Sequence, residues 1–235
     1  MRIGAIILCR YNSSRLPGKI LKPINGKSIL ENIIIRLRSI NLLDEIVVAT
    51  SDLDSDVPIV QSCQSLHIAC FTGSLDNVAN RFLSAAQTYD LDYAIRVNGD
   101  NIFIDSSLLV DMVEAALTNK YNFISNVPGR TFPYGMSIEI VKTNYYKELY
   151  NKFIDQEHFE HVTKYLYDNE AKIDSKKYFR NKHYPELKHT QLAIDTPDDY
   201  ENTQSISSQL SNFPESYELS DISNAINLLN LNLKK

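Results

Sequence analysis

Short apolar runs alternate with helically spaced apolar positions along the first half of the chain. Residues 3–8 are continuously apolar, the pattern of a buried strand. From 28 to 40, Ile29, Leu30, Ile33, Ile34, Leu37 and Ile40 recur at helical spacing. The β-branched run 45–49 predicts a second strand, 58–66 a short helix and 67–71 a third strand. Residues 75–89 predict a helix with Val78, Phe82, Ala85 and Ala86 on one face. A fourth strand follows at 93–97, then a helix over 106–118 with Asp105 as its cap. Strands and helices alternating in this way predict an α/β fold with a mostly parallel sheet covered on both faces.

After Asn119 the rhythm changes. The pattern predicts strands at 122–126 and 136–141, helices at 143–152 and 157–167, a late strand at 187–194 and a helix at 197–210. Residues 220–235 are rich in Asn and Leu and predict a terminal helix with a frayed basic tail. No stretch is rich enough in Gly, Ser or Pro to separate two domains, so residues 1–235 are expected to form one domain, with 120–190 adding antiparallel pieces and a substrate lid.

Bulk properties narrow the classes. A formal net charge of -5 argues against a general nucleic-acid binder, although a local basic pocket remains compatible with it. The three cysteines cannot all pair and form no Cys-x-x-Cys, so a structural zinc site is not expected and a reducing, cytoplasmic setting is. The apolar run after Arg2 is too short for a signal peptide, and no stretch approaches the ~20 residues of a membrane span.

The chemistry concentrates at strand ends. Arg10, Ser13, Ser14, Arg15 and Lys19 fall in a turn-rich loop directly after the first strand, an arrangement that suits a phosphorylated nucleotide or, alternatively, a solvated basic loop. Cys9 borders that loop and either has a lowered thiol pKa or caps the buried strand. Asp100 ends the fourth strand beside Gly99, and Asp195 repeats the pattern after Leu192-Ala193-Ile194. Each is either a helix cap or a ligand for a hard divalent cation, and Asp105 and Thr196 are available as the caps. Asp198 and Asp199 suit the helix dipole. His158 and His161 stand one helical turn apart, a weak metal pair without a third ligand. Glu139 alternates with Ile138 and Ile140 and should point into solvent or a pocket. Gly26-Lys27-Ser28 lacks the earlier glycine of a P-loop, since residue 21 is Leu.

The order of residues 10–19, Arg-Tyr-Asn-Ser-Ser-Arg-Leu-Pro-Gly-Lys, resembles the sugar-activating cytidylyltransferases of the spore-coat-polysaccharide group and, more distantly, the 3-deoxy-manno-octulosonate (KDO) and acylneuraminate cytidylyltransferases. Further segments resemble the family in order: 44–50, Gly73-Ser74-Leu75-Asp76-Asn77-Val78, Arg96-Val97-Asn98-Gly99-Asp100, 130–135, 160–163 and 194–199. The resemblance implies a Rossmann-like, nucleotide-diphospho-sugar transferase type of sheet. It also implies a Mg²⁺-dependent transfer from CTP to a sugar, with no nucleic-acid partner and room for a homodimer contact in 120–190.

On this resemblance Arg10, Arg15 and Lys19 hold the triphosphate with Ser13 and Ser14, while Gly73, Ser74 and Asp76 line the base or ribose pocket. Asp100 and Asp195 match the metal pair of the KDO enzymes, and Arg10, Lys19 and Asp100 are the expected catalytic group. Arg130, Tyr134, Glu139, Glu160 and His161 are candidates for the sugar. The chain departs from its relatives at Asn12, at Asn101-Ile102-Phe103, at Tyr134 and at Ser137, so the acceptor is less defined than the nucleotide. KDO, a nonulosonic acid, a neutral sugar and a small phosphonate stay open as acceptors. Two other functions stay open as well. One is a sugar-nucleotide-dependent glycosyltransferase, for which Asp52-x-Asp54 or Asp54-x-Asp56 would hold the metal. The other is a non-catalytic nucleotide sensor.

Overall fold

The computed structural model describes residues 1–233. Strand β1 (Ile3–Leu8) is buried throughout. A small hairpin follows, β2 (Pro23–Ile24) and β3 (Lys27–Ser28), turned by Asn25 and Gly26 at φ 48° and 80°. Two positive φ values in succession are what an Asn-Gly pair supplies. Ser28 then caps helix α1 (Ile29–Arg38), its hydroxyl accepting the Glu31 N–H. The alternation continues through β4 (Glu45–Ser51), α2 (Val57–Ser65), β5 (Ala69–Gly73), α3 (Val78–Thr88), β6 (Tyr93–Asn98) and α4 (Ser106–Leu117), with Asp105 capping α4 as expected. The later half contains β7 (Phe123–Ser125), β8 (Glu139–Lys142), α5 (Thr143–Tyr150), α6 (Gln156–Glu160), α7 (Lys164–Asp168), β9 (Lys176–Tyr178), α8 (Pro197–Gln209) and α9 (Leu219–Leu228).

A seven-stranded sheet runs in the order β5, β4, β1, β6, β8, β7, β9. The first four are parallel, β8 opposes both its neighbours, and β9 is parallel to β7. This is the expected mixed, mostly parallel α/β sheet. Alternate residues of β1 feed two cores: Ile3, Ala5 and Ile7 pack with α1 and α4, while Ile6 and Leu8 pack with α3 and α5. From β1 the chain builds outward to β4 and β5, then crosses to β6 on the other side. Such a reversal opens a crevice at the carboxyl ends of the two central strands. Leu8 is level with Asn98, and the Gly99 N–H donates to the Leu8 carbonyl at 2.9 Å, so the loops after β1 and β6 emerge side by side.

Two expectations need correction, and strand β9 was not anticipated. Residues 187–194 form no sheet strand; they pair with the loop 130–135 through Tyr134 N–H to Thr190 O and Leu192 N–H to Tyr134 O. Strand β9 was illegible because Lys-Lys-Tyr carries no apolar alternation and forms only against distant β7. The helix expected over 157–167 breaks at His161, whose φ and ψ of -110° and 97° are extended, and restarts as α7. The terminal helix ends at Leu228, and the end of the expected frayed tail lies outside the described residues.

Gly135 is where loop 130–135 touches the 192–193 backbone. Its φ is +92°, and a Cβ there would lie 2.3 Å from Ala193 N. Gly135→Ala should therefore lower stability by about 2 kcal/mol or more, since a left-handed backbone and a backbone clash are combined. Urea unfolding of the two proteins checks this.

Candidate functional site

A cavity of about 510 Å³ occupies the crevice. Arg10, Ser13, Ser14, Arg15 and Lys19 all line it, from one side of the β1–β6 junction. Their loop is folded on itself by Ser13 and Gly18 N–H groups donating to the Tyr11 carbonyl, at 2.9 and 2.8 Å. It is anchored by the Tyr11 N–H donating to Asp56 Oδ1 at 2.8 Å. Asp56 is 1% exposed, and its other oxygen accepts from Thr50 and Ser51 hydroxyls and from Ser51 N–H. Burial alone would raise the Asp56 carboxyl, but the Ser51 and Thr50 hydroxyls and the two backbone donors outweigh it and hold it below the usual value. The Asp52–Asp56 segment thus buttresses the basic loop, with Asp56 consumed by protein donors. Cys9, beneath the loop, is buried, and desolvation pushes its thiol up to about 12, so it is a neutral strand-end residue.

Opposite the loop stand the carboxylates of Asp100, just after β6, and of Asp195, after the loop segment 187–194. Lys19 Nζ lies 3.5 Å from Asp195 and 3.8 Å from Asp100, and donates to the Ile194 carbonyl. Arg15 reaches Asp195 at 3.0 Å. Burial raises the Asp100 carboxyl above its ordinary pKa; Lys19 opposes that shift, Asp195 adds to it and Arg96 opposes it. Asp100 Oδ1 is buried with no partner among the described residues. Two carboxylates, one with an unused oxygen, form a donor set that fits a hard divalent cation whose other ligands are substrate oxygens and water. Among the described residues no cluster of three or more His, Cys, Asp or Glu could hold a metal unaided.

A second cavity of about 350 Å³ lies on the β8 side. Arg130, Tyr134 and Glu139 line it, whereas Glu160 and His161 line the first cavity, so the expected sugar residues fall into two groups. Arg130 has φ +41°, lies 4.5 Å over the Tyr134 ring and donates to Ser137 Oγ at 3.3 Å. Glu139 is 2% exposed and fully engaged: one oxygen accepts from Thr163 and Tyr167 at 2.8 and 2.9 Å, the other pairs with Arg96. It holds the β8 side to α7, with both carboxylate oxygens bonded to protein donors. Burial would lower the Arg96 guanidinium, but Glu139 outweighs it and raises the pKa, keeping Arg96 charged.

The matching family model, described as Cytidylyltransferase, spans residues 4–223. The chain belongs to the cytidylyltransferase family. It is 29% identical over 239 residues to the spore coat polysaccharide biosynthesis protein SpsF of Bacillus subtilis (strain 168), covering 97% of this chain and 93% of that one. A cytidylyltransferase structure from Leptospira borgpetersenii superposes with a TM-score of 0.90 at 29% identity, covering 98% and 95% of the two chains. A CMP-2-keto-3-deoxy-manno-octonic acid synthetase structure complexed with CTP shares the fold, at TM-score 0.69, 17% identity and 89% and 100% coverage. No helix among the described residues is long and apolar enough to cross a membrane.

Against this family background the expected site divides. Asp76 lines the first cavity, but Gly73 and Ser74 do not. Ser74 shapes the turn instead: its hydroxyl accepts the Asn77 N–H, and its carbonyl accepts from Arg81. His158 bonds Asp168 at 3.1 Å and does not line the cavity that His161 lines, and among the described residues no cluster of three or more His, Cys, Asp or Glu joins the pair. Asp199 does more than favour the dipole; it closes a capping box with Thr196 and also accepts the Asp195 N–H. The polar cavity residues that lie outside the motifs are Arg81 and Gln156. For Arg81, a charge on the apolar face of a helix was the available signal.

Asp56 gives a pH test. A depressed folded pKa means its stabilisation is present above the unfolded value of about 3.9 and is lost as pH falls through the folded value. Asp56→Asn should cost about 2 kcal/mol near neutrality, because charge-assisted bonds are lost, and the gap from wild type should close on acidification below about pH 4. Denaturation midpoints of both proteins between neutral and acid pH measure it.

Proposed function

We propose that this cytidylyltransferase joins CTP to a sugar, favouring one that carries a carboxylate, and releases a CMP-sugar and pyrophosphate. The carrying observation is that Asp100 and Asp195, bridged by Lys19, stand in the wall common to the two cavities. A nucleotide in the first cavity and an acceptor in the second would meet at that wall. The SpsF resemblance supports a role in surface polysaccharide or glycoconjugate synthesis, and the synthetase bound to CTP supports the choice of base. Arg130 has no acidic partner among the described residues, and a guanidinium suits a carboxylate.

In the reaction an acceptor hydroxyl oxygen attacks the α-phosphorus in line. The new O–P bond forms as the bond to the bridging oxygen of the β-phosphate breaks; pyrophosphate leaves and the hydroxyl proton passes to water. Arg10, Arg15 and Lys19 hold the triphosphate, and Ser13, Ser14 and loop N–H groups donate further bonds. Asp76 faces the nucleoside, with Gly73 and Ser74 setting its turn. Residues 120–190 supply most of the acceptor side. Mg²⁺, held by Asp100 and Asp195, would supply neutralising charge and orientation for the α-phosphate.

Pyrophosphate release from each of the four NTPs, tested with neutral and acidic sugars in the presence of Mg²⁺, decides the reaction. Activity should require CTP, and Asp100→Asn and Asp195→Asn should each lower turnover by about two orders of magnitude or more while melting normally. Unchanged turnover in either variant would remove the carboxylate pair from the proposal.

Arg130→Ala should raise the acceptor KM about tenfold or more and leave CTP binding within about twofold, the pattern of a contact made only to the acceptor. A loss confined to CTP binding would move the 130–135 loop to the nucleotide side.

A further inference from the structure

Four residues line both cavities: Arg96, Asn98, Asp100 and Asp195. If the nucleotide fills one cavity and the acceptor the other, the reacting atoms meet among these four. Two of them are carboxylates and one is an amide. Arg96 is the only cation in the shared set.

We infer that Arg96 is a further catalytic residue, a guanidinium fixed at the junction of the cavities to neutralise charge on the phosphate being transferred. The inference rests on the proposed reaction. Its geometric case begins with Glu139. That carboxylate takes Arg96 Nη1 on one oxygen and the Thr163 and Tyr167 hydroxyls on the other, so it is held by three donors from β6 and the α7 segment. A side chain clamped in this way is pre-oriented, and it does not need to reorganise when charge develops nearby. Only one edge of the guanidinium is used. Nη2 has no protein partner among the described residues, and Nε is buried without one. The side chain stays 19% exposed while Glu139 is sealed, so the open part of the ion pair belongs to Arg96 and faces the cavities.

A purely structural salt bridge explains this poorly. Burying an ion pair costs desolvation that apolar packing avoids, and it gains most when the remaining polar groups are satisfied. Here the carboxylate is satisfied and the guanidinium is not. Lys19 lines the first cavity as well. The basic loop approaches the crevice from the end of β1, and Arg96 approaches it from within β6, four residues before Asp100. An α-phosphate at the junction would have cations on two sides, and its non-bridging oxygens offer the two-pronged acceptor that a guanidinium prefers.

The test uses the full chain and measures pyrophosphate release, CTP binding by calorimetry and discrimination between the two diastereomers of α-thio-CTP. Arg96→Met combined with Glu139→Gln removes both charges together, so no lone buried ion is left. It should fold, bind CTP within about threefold of wild type and lose about 10²-fold or more in kcat, the usual consequence of deleting a donor at developing charge. Its preference between the thio diastereomers should shrink, because sulfur replaces the oxygen that Arg96 would touch. Glu139→Gln alone should lose much less. Arg96→Lys keeps the charge and the Glu139 pairing but not the fork. It should lose about tenfold in kcat with the same weakened preference, and it carries the test if the double variant does not fold.

A kcat within about threefold of wild type in the double variant, or a kcat loss with unaltered thio preference, would make Arg96 structural. A rise confined to the acceptor KM would assign it to the sugar and overturn the inference while leaving the reaction standing. Failure of the wild-type chain to release pyrophosphate with any sugar would overturn the reaction and the inference together.

Discussion

Lys19 ties together parts of the chain that are far apart in sequence. It leaves the loop after β1, reaches the carboxylate at the end of β6, and meets both the backbone of Ile194 and the carboxylate of Asp195. Without it, Asp100 and Asp195 would face each other as like charges in a partly desolvated crevice, where repulsion is weakly screened. With it, three segments converge on one point at the crevice. Asp100 shows the balance of these forces: burial raises its carboxyl, and Lys19 holds the shift back.

The architecture around that point is layered support. Asp56 gathers four donors and fixes the basic loop from below. Asp199 caps α8 and steadies the backbone of Asp195 and Thr196. Glu139 binds β6, β8 and the α7 segment, and fixes the Arg96 side chain at the back of the site. These three carboxylates are spent on geometry, which leaves Asp100 and Asp195 as the acids facing the junction. Within the Asp52–Asp56 loop, Asp56 is spent on protein donors in the same way.

The two cavities also account for what was and was not legible beforehand. The alternation of 3–8, 28–40, 45–49 and 93–97 revealed the parallel half of the sheet, because continuous apolar strands and amphipathic helices have distinct periods. The basic loop and Asp100 could be found for the same reason: polar residues directly after a buried strand must emerge at its carboxyl end. The residues 187–194 could not, since an apolar run that pairs with a loop looks the same as one that joins a sheet. Three-residue β9 left no pattern at all.

The sequence by itself determined the strand–helix alternation of the first half, the family, and the placing of Arg10–Lys19 and Asp100 directly after buried strands, because these follow from local periodicity and from residue order. Only the tertiary structure decided which side chains are consumed and which are free. Glu139, Asp56 and His158 looked available and are engaged by partners 24, 45 and 10 positions away. Arg96 was legible as the arginine of the 96–100 segment, but its place at the junction of two cavities was not. Burial and hydrogen-bond partners belong to the packed chain, and no local pattern encodes a contact between segments that folding alone brings together.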